Sequence, residues 1–140
     1  MEELMRRYPG ATTFTFGDCP ELSARLLALV RQGQKTATCG ALRDFGVEGE
    51  PLPVQGRRDI ALNWDGTPEL VIETTSVEIL HFDEVPEVFA LAEGENTDLA
   101  GWRADHRAFF TQNGGWSEDM LLVCERFHLV EDLSPCSENS

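Results

Sequence analysis

Two β-prone segments, Arg58–Trp64 and Glu69–Phe82, are separated by a short stretch that contains Asp65-Gly66. This dipeptide between two such segments favours a tight hairpin turn, which makes the two strands antiparallel. A third long segment, Met120–Val130, and a shorter one, Thr36–Cys39, are also β-prone. Parallel strands would need long helical crossovers, and few helices are available to supply them. The sequence therefore predicts an α+β domain with a curled, mostly antiparallel sheet.

The clearest helix is predicted over residues 20–32. Leucines and a valine recur there at helical spacing, and Pro20 suits the first turn of a helix. Asp18 is the predicted N-cap, and Gly33 is expected to end the helix.

Two further helices are predicted, at residues 85–92 and at about 97–111. The second is expected to be capped near Asn96 or Thr97. Residues 44–58 contain several glycines and prolines, so they are predicted to form a long, turn-rich crossing.

The length of 140 residues suits one domain, and we expect residues 1–140 to form it, with a mobile polar tail over 132–140. No apolar run approaches the roughly 20 residues that a membrane span needs. The N-terminal residues also lack the apolar stretch of a signal peptide. These features predict a cytoplasmic protein that does not associate with membranes.

The charge balance is strongly acidic, because 11 basic and 25 acidic side chains give a net charge of −14. Such a surface repels polyanions at long range, and affinity for nucleic acid comes largely from neutralising phosphates. A protein that coats nucleic acid is therefore disfavoured, and no DNA partner is expected. A small or neutral substrate fits this charge better.

The four cysteines, Cys19, Cys39, Cys124 and Cys136, form no closely spaced pair. Structural zinc sites normally use such pairs of ligands, so the sequence predicts no metal site. It also lacks the motifs of phosphate-binding loops, nucleophile elbows and zinc-binding helices. No cofactor is therefore predicted.

Lys35 is the single lysine, and the other ten basic residues are arginines. A buried lysine can lose its proton and act as a base, whereas arginine effectively never does. Lys35 comes just after the helix at 20–32, and Thr38 follows it within the segment Gly33–Gly40. A bend in this segment would bring the amine and the hydroxyl together as base and nucleophile. The alternative is that an arginine-rich composition left one lysine by chance.

A carboxylate that orients the lysine is expected in the acidic loop at residues 92–96, which a glycine interrupts. Glu93 and Glu95 are the two candidates. The acids of this loop could instead serve only to stabilise the N-terminus of the next helix.

A set of short motifs is spread along the chain. They are Phe16-Gly17-Asp18, Gly33-Gln34-Lys35 with Thr36-Ala37-Thr38, Pro51-Leu52-Pro53, Ile72–Val77, Glu93-Gly94-Glu95, Trp102-Arg103 with His106, and Cys124-Glu125-Arg126-Phe127. Together they make the chain similar to ASCH domain proteins, in their longer bacterial form, over about residues 12–131. The resemblance implies a PUA-like fold, which is a small β-barrel of mixed or antiparallel strands flanked by about three helices.

The resemblance also implies a function. Some smaller ASCH members look like amidohydrolases that remove the acetyl group of N4-acetylcytidine with a Lys, a Thr three residues later and a Glu. Lys35 and Thr38 match the first two at the same spacing, and Glu93 is chosen as the acid from its Glu-Gly context, with Glu95 as the alternative. This implies hydrolysis of a small N-acylated pyrimidine nucleoside. Lys35 would be the base and Thr38 the nucleophile, while Glu93 would hold the lysine and help to protonate the leaving amine.

Two alternatives stay open, because the family was proposed to bind RNA and other members have been described as ribonucleases. The chain could be an RNA-binding module without catalysis, or a ribonuclease. It is longer than the small amidohydrolases and carries the crossing at 44–58, so its substrate need not be the same. The remaining candidates for substrate binding are Thr36, Arg43, Trp102, Arg103 and His106.

Overall fold

The computed structural model describes residues 2–46 and 51–133. These residues form four α-helices, five β-strands and two short 3-10 turns. The helices are α1 (Glu2–Arg7), α2 (Pro20–Arg31), α3 (Glu87–Ala92) and α4 (Leu99–Gln112). The strands are β1 (Thr12–Thr15), β2 (Ala37–Ala41), β3 (Arg58–Leu62), β4 (Pro68–His81) and β5 (Leu121–Asp132), and the 3-10 turns are Leu42–Asp44 and Phe82–Glu84.

The five strands form one mixed sheet in the order β1-β3-β4-β5-β2. The edge pair β1–β3 is parallel, and the other three pairs are antiparallel. The register of the long β4–β5 pair shifts at Val71/Ile72 and at Thr74/Ser76. Such irregularities increase twist, and the sheet curls into a half-barrel. The predicted α+β class is confirmed.

Two of three apolar clusters hold α2, α3 and α4 against this sheet, and the third packs Leu4 of α1 on it. Helix α2 buries Leu26, Leu27 and Val30 in one cluster, which also contains Phe127 of β5. Helices α3 and α4 contribute Phe89, Trp102 and Phe110 to the other, together with residues of β2 and β5. Burying side chains of this size contributes roughly 1.5–3 kcal/mol each. A cleft lined by α2 and α4 lies over the start of β2.

Helix α1 and strand β1 were not predicted from the sequence. Both are short, and β1 is three-quarters threonine with mostly exposed side chains, so neither carries a clear hydrophobic period. The parallel pairing of β1 with β3 depends on this missed strand. Residues 47–50 of the predicted crossing lie outside the described residues. So do residues 134–140 of the predicted mobile tail, whereas β5 continues to Asp132.

Two predicted helix caps were wrong. The N-cap of α2 is Cys19 rather than Asp18, and its side chain makes no capping hydrogen bond. The N-cap of α4 is Asp98 rather than Asn96 or Thr97, because the Asp98 carboxylate accepts a hydrogen bond from the backbone N–H of Gly101. Such a bond satisfies one of the free N–H groups at the start of the helix.

Within the two described ranges, no helix is both long and apolar enough to cross a membrane.

Candidate active site

Lys35 lies in the short connection between α2 and β2, where the chain changes direction at Gly33. The backbone N–H of Lys35 donates to Leu29 O, and the next N–H, of Thr36, donates to Ala92 O at the end of α3. These two bonds hold the connection between the two helices. The Lys35 side chain consequently points inward and is only 2% exposed.

The amine of Lys35 is surrounded by oxygen atoms. Its Nζ donates to Ala37 O at 2.8 Å and to Glu93 O at 3.3 Å. The carboxylate atom Glu93 Oε1 lies 3.6 Å away. Two carbonyls thus accept hydrogen bonds from the amine, and the Glu93 carboxylate lies at ion-pair distance from it.

Glu93 reaches Lys35 because the loop after α3 packs directly on the connection that carries the lysine. The next residue, Gly94, has a φ of +85°, and a Cβ there would lie only 2.8 Å from Gln34 O. Only glycine fits both this backbone conformation and this approach. The glycine within the acidic loop is therefore what allows Glu93 and Lys35 to meet.

The Glu93 carboxylate has partners on α4 as well as Lys35. Its Oε2 accepts a hydrogen bond from Trp102 Nε1 at 2.8 Å and lies 3.5 Å from His106 Nε2. Burial by itself raises the pKa of Glu93, but the hydrogen bond from His106, the charge of Lys35 and the bond from Trp102 outweigh it and hold the pKa below its ordinary value. Glu93 is thus a carboxylate at neutral pH.

His106 is oriented by its own helix. Its Nδ1 lies 2.9 Å from Trp102 O, and the imidazole stacks on the Trp102 ring with 4.2 Å between centroids. Burial by itself lowers the pKa of His106, but the hydrogen bond to Glu93 and the charge of that carboxylate raise it above the ordinary value.

These side chains line a cavity of about 420 Å³, which we call the Lys35 cavity. Leu22 and Leu26 of α2 and Phe109 of α4 form apolar walls. Its polar lining consists of Lys35, Thr38, Cys39, Glu93, Glu95, Asn96, Asp105 and His106. A volume of this size and an apolar wall with a few convergent polar groups are typical of a small-molecule site.

A second cavity of about 360 Å³ adjoins the first, and we call it the Glu125 cavity. The two share Phe16, Gly17 and Thr38, so the half-buried Thr38 side chain lies at their junction. Pro51 and Pro53 from the predicted crossing line the second cavity. This crossing thus shapes the space beside Thr38.

Sequence reasoning missed Glu125, which lines this second cavity directly opposite Thr38. It accepts a hydrogen bond from Thr74 Oγ1 at 2.6 Å. Burial raises the pKa of its carboxyl group, although the bond from Thr74 acts in the other direction. The available signal was an acidic residue that follows the apolar run Leu121–Cys124 within a β-prone segment.

Cys39 was singled out only as an unpaired thiol, yet it lies in the Lys35 cavity beside Glu93. Burial, the charge of Glu93 and a hydrogen bond to it all raise the pKa of Cys39 well above the ordinary value. The thiol is therefore protonated at neutral pH.

Not all of the predicted substrate-binding residues face the Lys35 cavity. Trp102 is fully buried and its indole N–H is bonded to Glu93, so it positions the carboxylate and cannot stack on a ligand.

Arg43 lies outside the Lys35 cavity and donates to the carbonyls of Asn113 and Gly115. Arg103 is exposed beside Asp83, and Thr36 is exposed on the backbone connection rather than in the cavity. His106 does line it.

Glu95, the alternative acid, also lines the Lys35 cavity, but it is Glu93 that forms the buried ion pair with Lys35. The structure thus brings Lys35, Thr38 and Glu93 to one cavity, with His106 beside them.

A curled, mixed five-stranded sheet with helices over a cleft defines a PUA-like α+β domain. The chain belongs to the ASCH family, because the ASCH domain model matches residues 12–131. Domains of this family have a PUA-like fold that often binds RNA.

Two crystal structures are similar over most of the chain. An ASCH domain from Lactobacillus crispatus JV V101 is 32% identical, with a TM-score of 0.80, over 92% of this chain and 85% of the other. A protein from Enterococcus faecalis V583 is 35% identical, with a TM-score of 0.81, over 99% of this chain and 90% of the other. A search among curated proteins finds no match.

Proposed function

We propose that this chain is an amidohydrolase that acts on a small N-acylated pyrimidine nucleoside similar to N4-acetylcytidine. The observation that carries the proposal is the buried Lys35–Glu93 pair in a cavity that also contains the Thr38 side chain. The three residues match the base, nucleophile and acid that the ASCH resemblance implies.

In the first half of the reaction, the amine form of Lys35 takes the proton of Thr38 Oγ1. The oxygen then bonds to the acyl carbon and forms a tetrahedral intermediate. The C–N bond breaks as the Lys35 ammonium returns the proton to the leaving amine, and the acyl group remains on Thr38. In the second half, water attacks this ester with Lys35 again as base, which releases the carboxylic acid and restores Thr38. A positioned base contributes roughly 10²–10⁴-fold to such a rate.

Glu93 acts as a positioning residue in this scheme. Its lowered pKa keeps it a carboxylate, so it is a poor source of the proton for the leaving amine. It instead stabilises the ammonium that forms on Lys35 during each half of the reaction. Trp102 and His106 fix the carboxylate in turn.

The lining of the Lys35 cavity favours a small uncharged substrate. Leu22, Leu26 and Phe109 offer apolar surface to the flat face of a base. Glu95 and Asp105 can accept hydrogen bonds from hydroxyl groups such as those of a ribose. The same two carboxylates repel phosphates, which weighs against a bound polynucleotide even though the fold often binds RNA.

The test is to incubate the purified protein with a panel of N4-acylated cytidines and, separately, with short single-stranded RNAs. Products are separated by chromatography. We expect free cytidine and a carboxylic acid from the nucleosides, and intact RNA. Lys35→Met and Thr38→Val should each lower the rate by about 10²–10⁴-fold. Lys35→Arg should not restore it, since arginine keeps the charge but cannot act as the base.

Thr36→Val is the matched control, because Thr36 is exposed, lies outside the cavity and is only two residues from Thr38. Its rate should equal that of the wild type. RNA fragments that disappear in the same variants would indicate a ribonuclease instead. Retained RNA without any turnover would indicate a binding module. Unchanged nucleoside hydrolysis in Lys35→Met, with circular dichroism showing a folded variant, would refute the proposed mechanism.

A further inference from the structure

Three metal-ligating side chains converge in the Lys35 cavity. The Sγ of Cys39, a carboxylate oxygen of Glu93 and a ring nitrogen of His106 all lie within 4.8 Å of one another. They come from β2, the end of α3 and α4. A tetrahedral zinc ion holds such atoms about 3.5 Å apart, so small side-chain rotations would close the site.

The orientation of His106 provides the second observation. Its Nδ1 lies 2.9 Å from Trp102 O, and a carbonyl only accepts, so Nδ1 carries a proton. In the neutral imidazole, Nε2 then presents a lone pair to Glu93 Oε2, 3.5 Å away. The proton of the Glu93–His106 hydrogen bond lies between these two atoms, and it occupies the position that a metal ion bound to both would take. An Nδ1–H bonded to a backbone carbonyl is also the usual support of a metal-binding histidine.

We propose that Cys39, Glu93 and His106 bind a thiophilic divalent cation such as Zn²⁺, which competes with Lys35 for Glu93. Sulfur and imidazole ligands favour zinc over magnesium. The cavity leaves room for a fourth ligand. The metal site itself does not depend on the proposed hydrolase activity. One consequence does rest on that proposed function: a cation bound to Glu93 takes away the partner of Lys35, so Zn²⁺ should inhibit amide hydrolysis.

The binding should strengthen as pH rises, because the cation displaces a proton from the Cys39 thiol and from any protonated His106. The other charged or titratable groups near the three ligands are Lys35, Glu95, Asp105 and the Cys124 thiol. Lys35 opposes a cation at this position, whereas Glu95 and Asp105 favour one.

The experiment uses Co²⁺ and Zn²⁺ with the full chain in a Cys19→Ser/Cys136→Ser background, which leaves Cys39 and Cys124 as the two remaining cysteines. Co²⁺ should give the near-ultraviolet thiolate charge-transfer band and bind at one equivalent. Cys39→Ala should abolish that band and weaken Zn²⁺ binding at least about tenfold, and His106→Gln should weaken it similarly. Cys124→Ala is the matched control and should retain the band. Mg²⁺ should not compete.

Competition with Lys35 can be followed without any substrate, because Lys35 is the single lysine and gives one side-chain NMR signal in lysine-labelled protein. Zn²⁺ should shift this signal in the wild type but not in Cys39→Ala. Binding that is unaffected by Cys39→Ala and His106→Gln, or no thiolate band, would overturn the site. Metal binding without a shift of the lysine signal would overturn the competition. Both results hold whether or not the chain hydrolyses amides, so the two proposals fail separately.

Discussion

Thr38 on β2 and Glu125 on β5 are directly opposed in the antiparallel sheet, and both line the Glu125 cavity. Opposed residues project to the same face of a sheet, with their Cβ atoms about 4.5–5.5 Å apart. A half-buried carboxyl group is therefore the cross-strand neighbour of the proposed nucleophile. Its pKa is raised by burial, with the hydrogen bond from Thr74 acting against that rise.

Glu125→Gln should become more stable relative to the wild type as the pH rises from acidic to neutral. The folded-state pKa of Glu125 is raised above its unfolded value, so the stability that the protonated group contributes is lost as pH rises through the folded-state pKa. Glutamine keeps an acceptor for Thr74 Oγ1 and cannot ionise. Urea unfolding at a series of pH values measures the difference. The exposed Glu118→Gln serves as control, and a pH-independent difference for Glu125→Gln would contradict the raised pKa.

Lys35→Met should lower the free energy of unfolding by about 3–5 kcal/mol, because it leaves Glu93 as a buried carboxylate without its cationic partner. The double variant Lys35→Met/Glu93→Gln should cost less than the sum of the two single changes, since both charges are then gone. Arg58→Met, which breaks the more exposed pair with Glu73, should cost less than about 1 kcal/mol. Additive costs at Lys35 and Glu93 in urea unfolding would show that the pair is not coupled.

Gly94→Ala should destabilise the fold by about 1–3 kcal/mol through backbone strain at positive φ. The clash of the new Cβ with Gln34 O should add a further cost. The clash pushes the Glu93 loop away from Lys35, so the proposed hydrolysis should also fall. Gly66→Ala in the β3–β4 hairpin is matched in φ, at +92°, but has no atom within 4 Å of the added Cβ. It should show the strain cost only and keep its activity. Equal stability losses in the two variants would mean that the close approach at Gly94 is tolerated.

The sequence predicted the long elements well because each has a strong local pattern. The α2 helix, the β3–β4 hairpin and the β5 strand all carry periodic apolar residues or a diagnostic turn, and the structure confirms them. Short β1 carries no such pattern, and its parallel pairing depends on contacts that are distant in sequence. The order of the strands in the sheet also depends on such distant contacts, so local sequence patterns did not predict it.

In the candidate site, too, residues close in sequence were predicted more readily than residues that only the fold brings together. Lys35 and Thr38 are neighbours in sequence, but Lys35 and Glu93 are 58 residues apart and meet through the bond from Thr36 N–H to Ala92 O. The family resemblance implied Glu93 as the acid, whereas local spacing left Glu95 open. Cys39 and Glu125 were missed as site residues because only the curled sheet turns them toward the cavities.

His106 should titrate above the ordinary histidine range in the wild type, and Glu93→Gln should lower its pKa. Burial by itself lowers the pKa, so the rise depends on the hydrogen bond to Glu93 and on its charge, both of which glutamine weakens. NMR titration of the three histidines measures this directly, with His81 as the internal control. The pKa of His81 is also raised, by a hydrogen bond to the backbone of Asp119 that Glu93→Gln leaves intact.

The contribution of His106 to the free energy of unfolding is fully present below its pKa in the unfolded chain and is lost as pH rises through its pKa in the folded protein. His106→Gln should therefore cost more stability at mildly acidic than at alkaline pH, and a cost that grows with pH would rule out this ion pair.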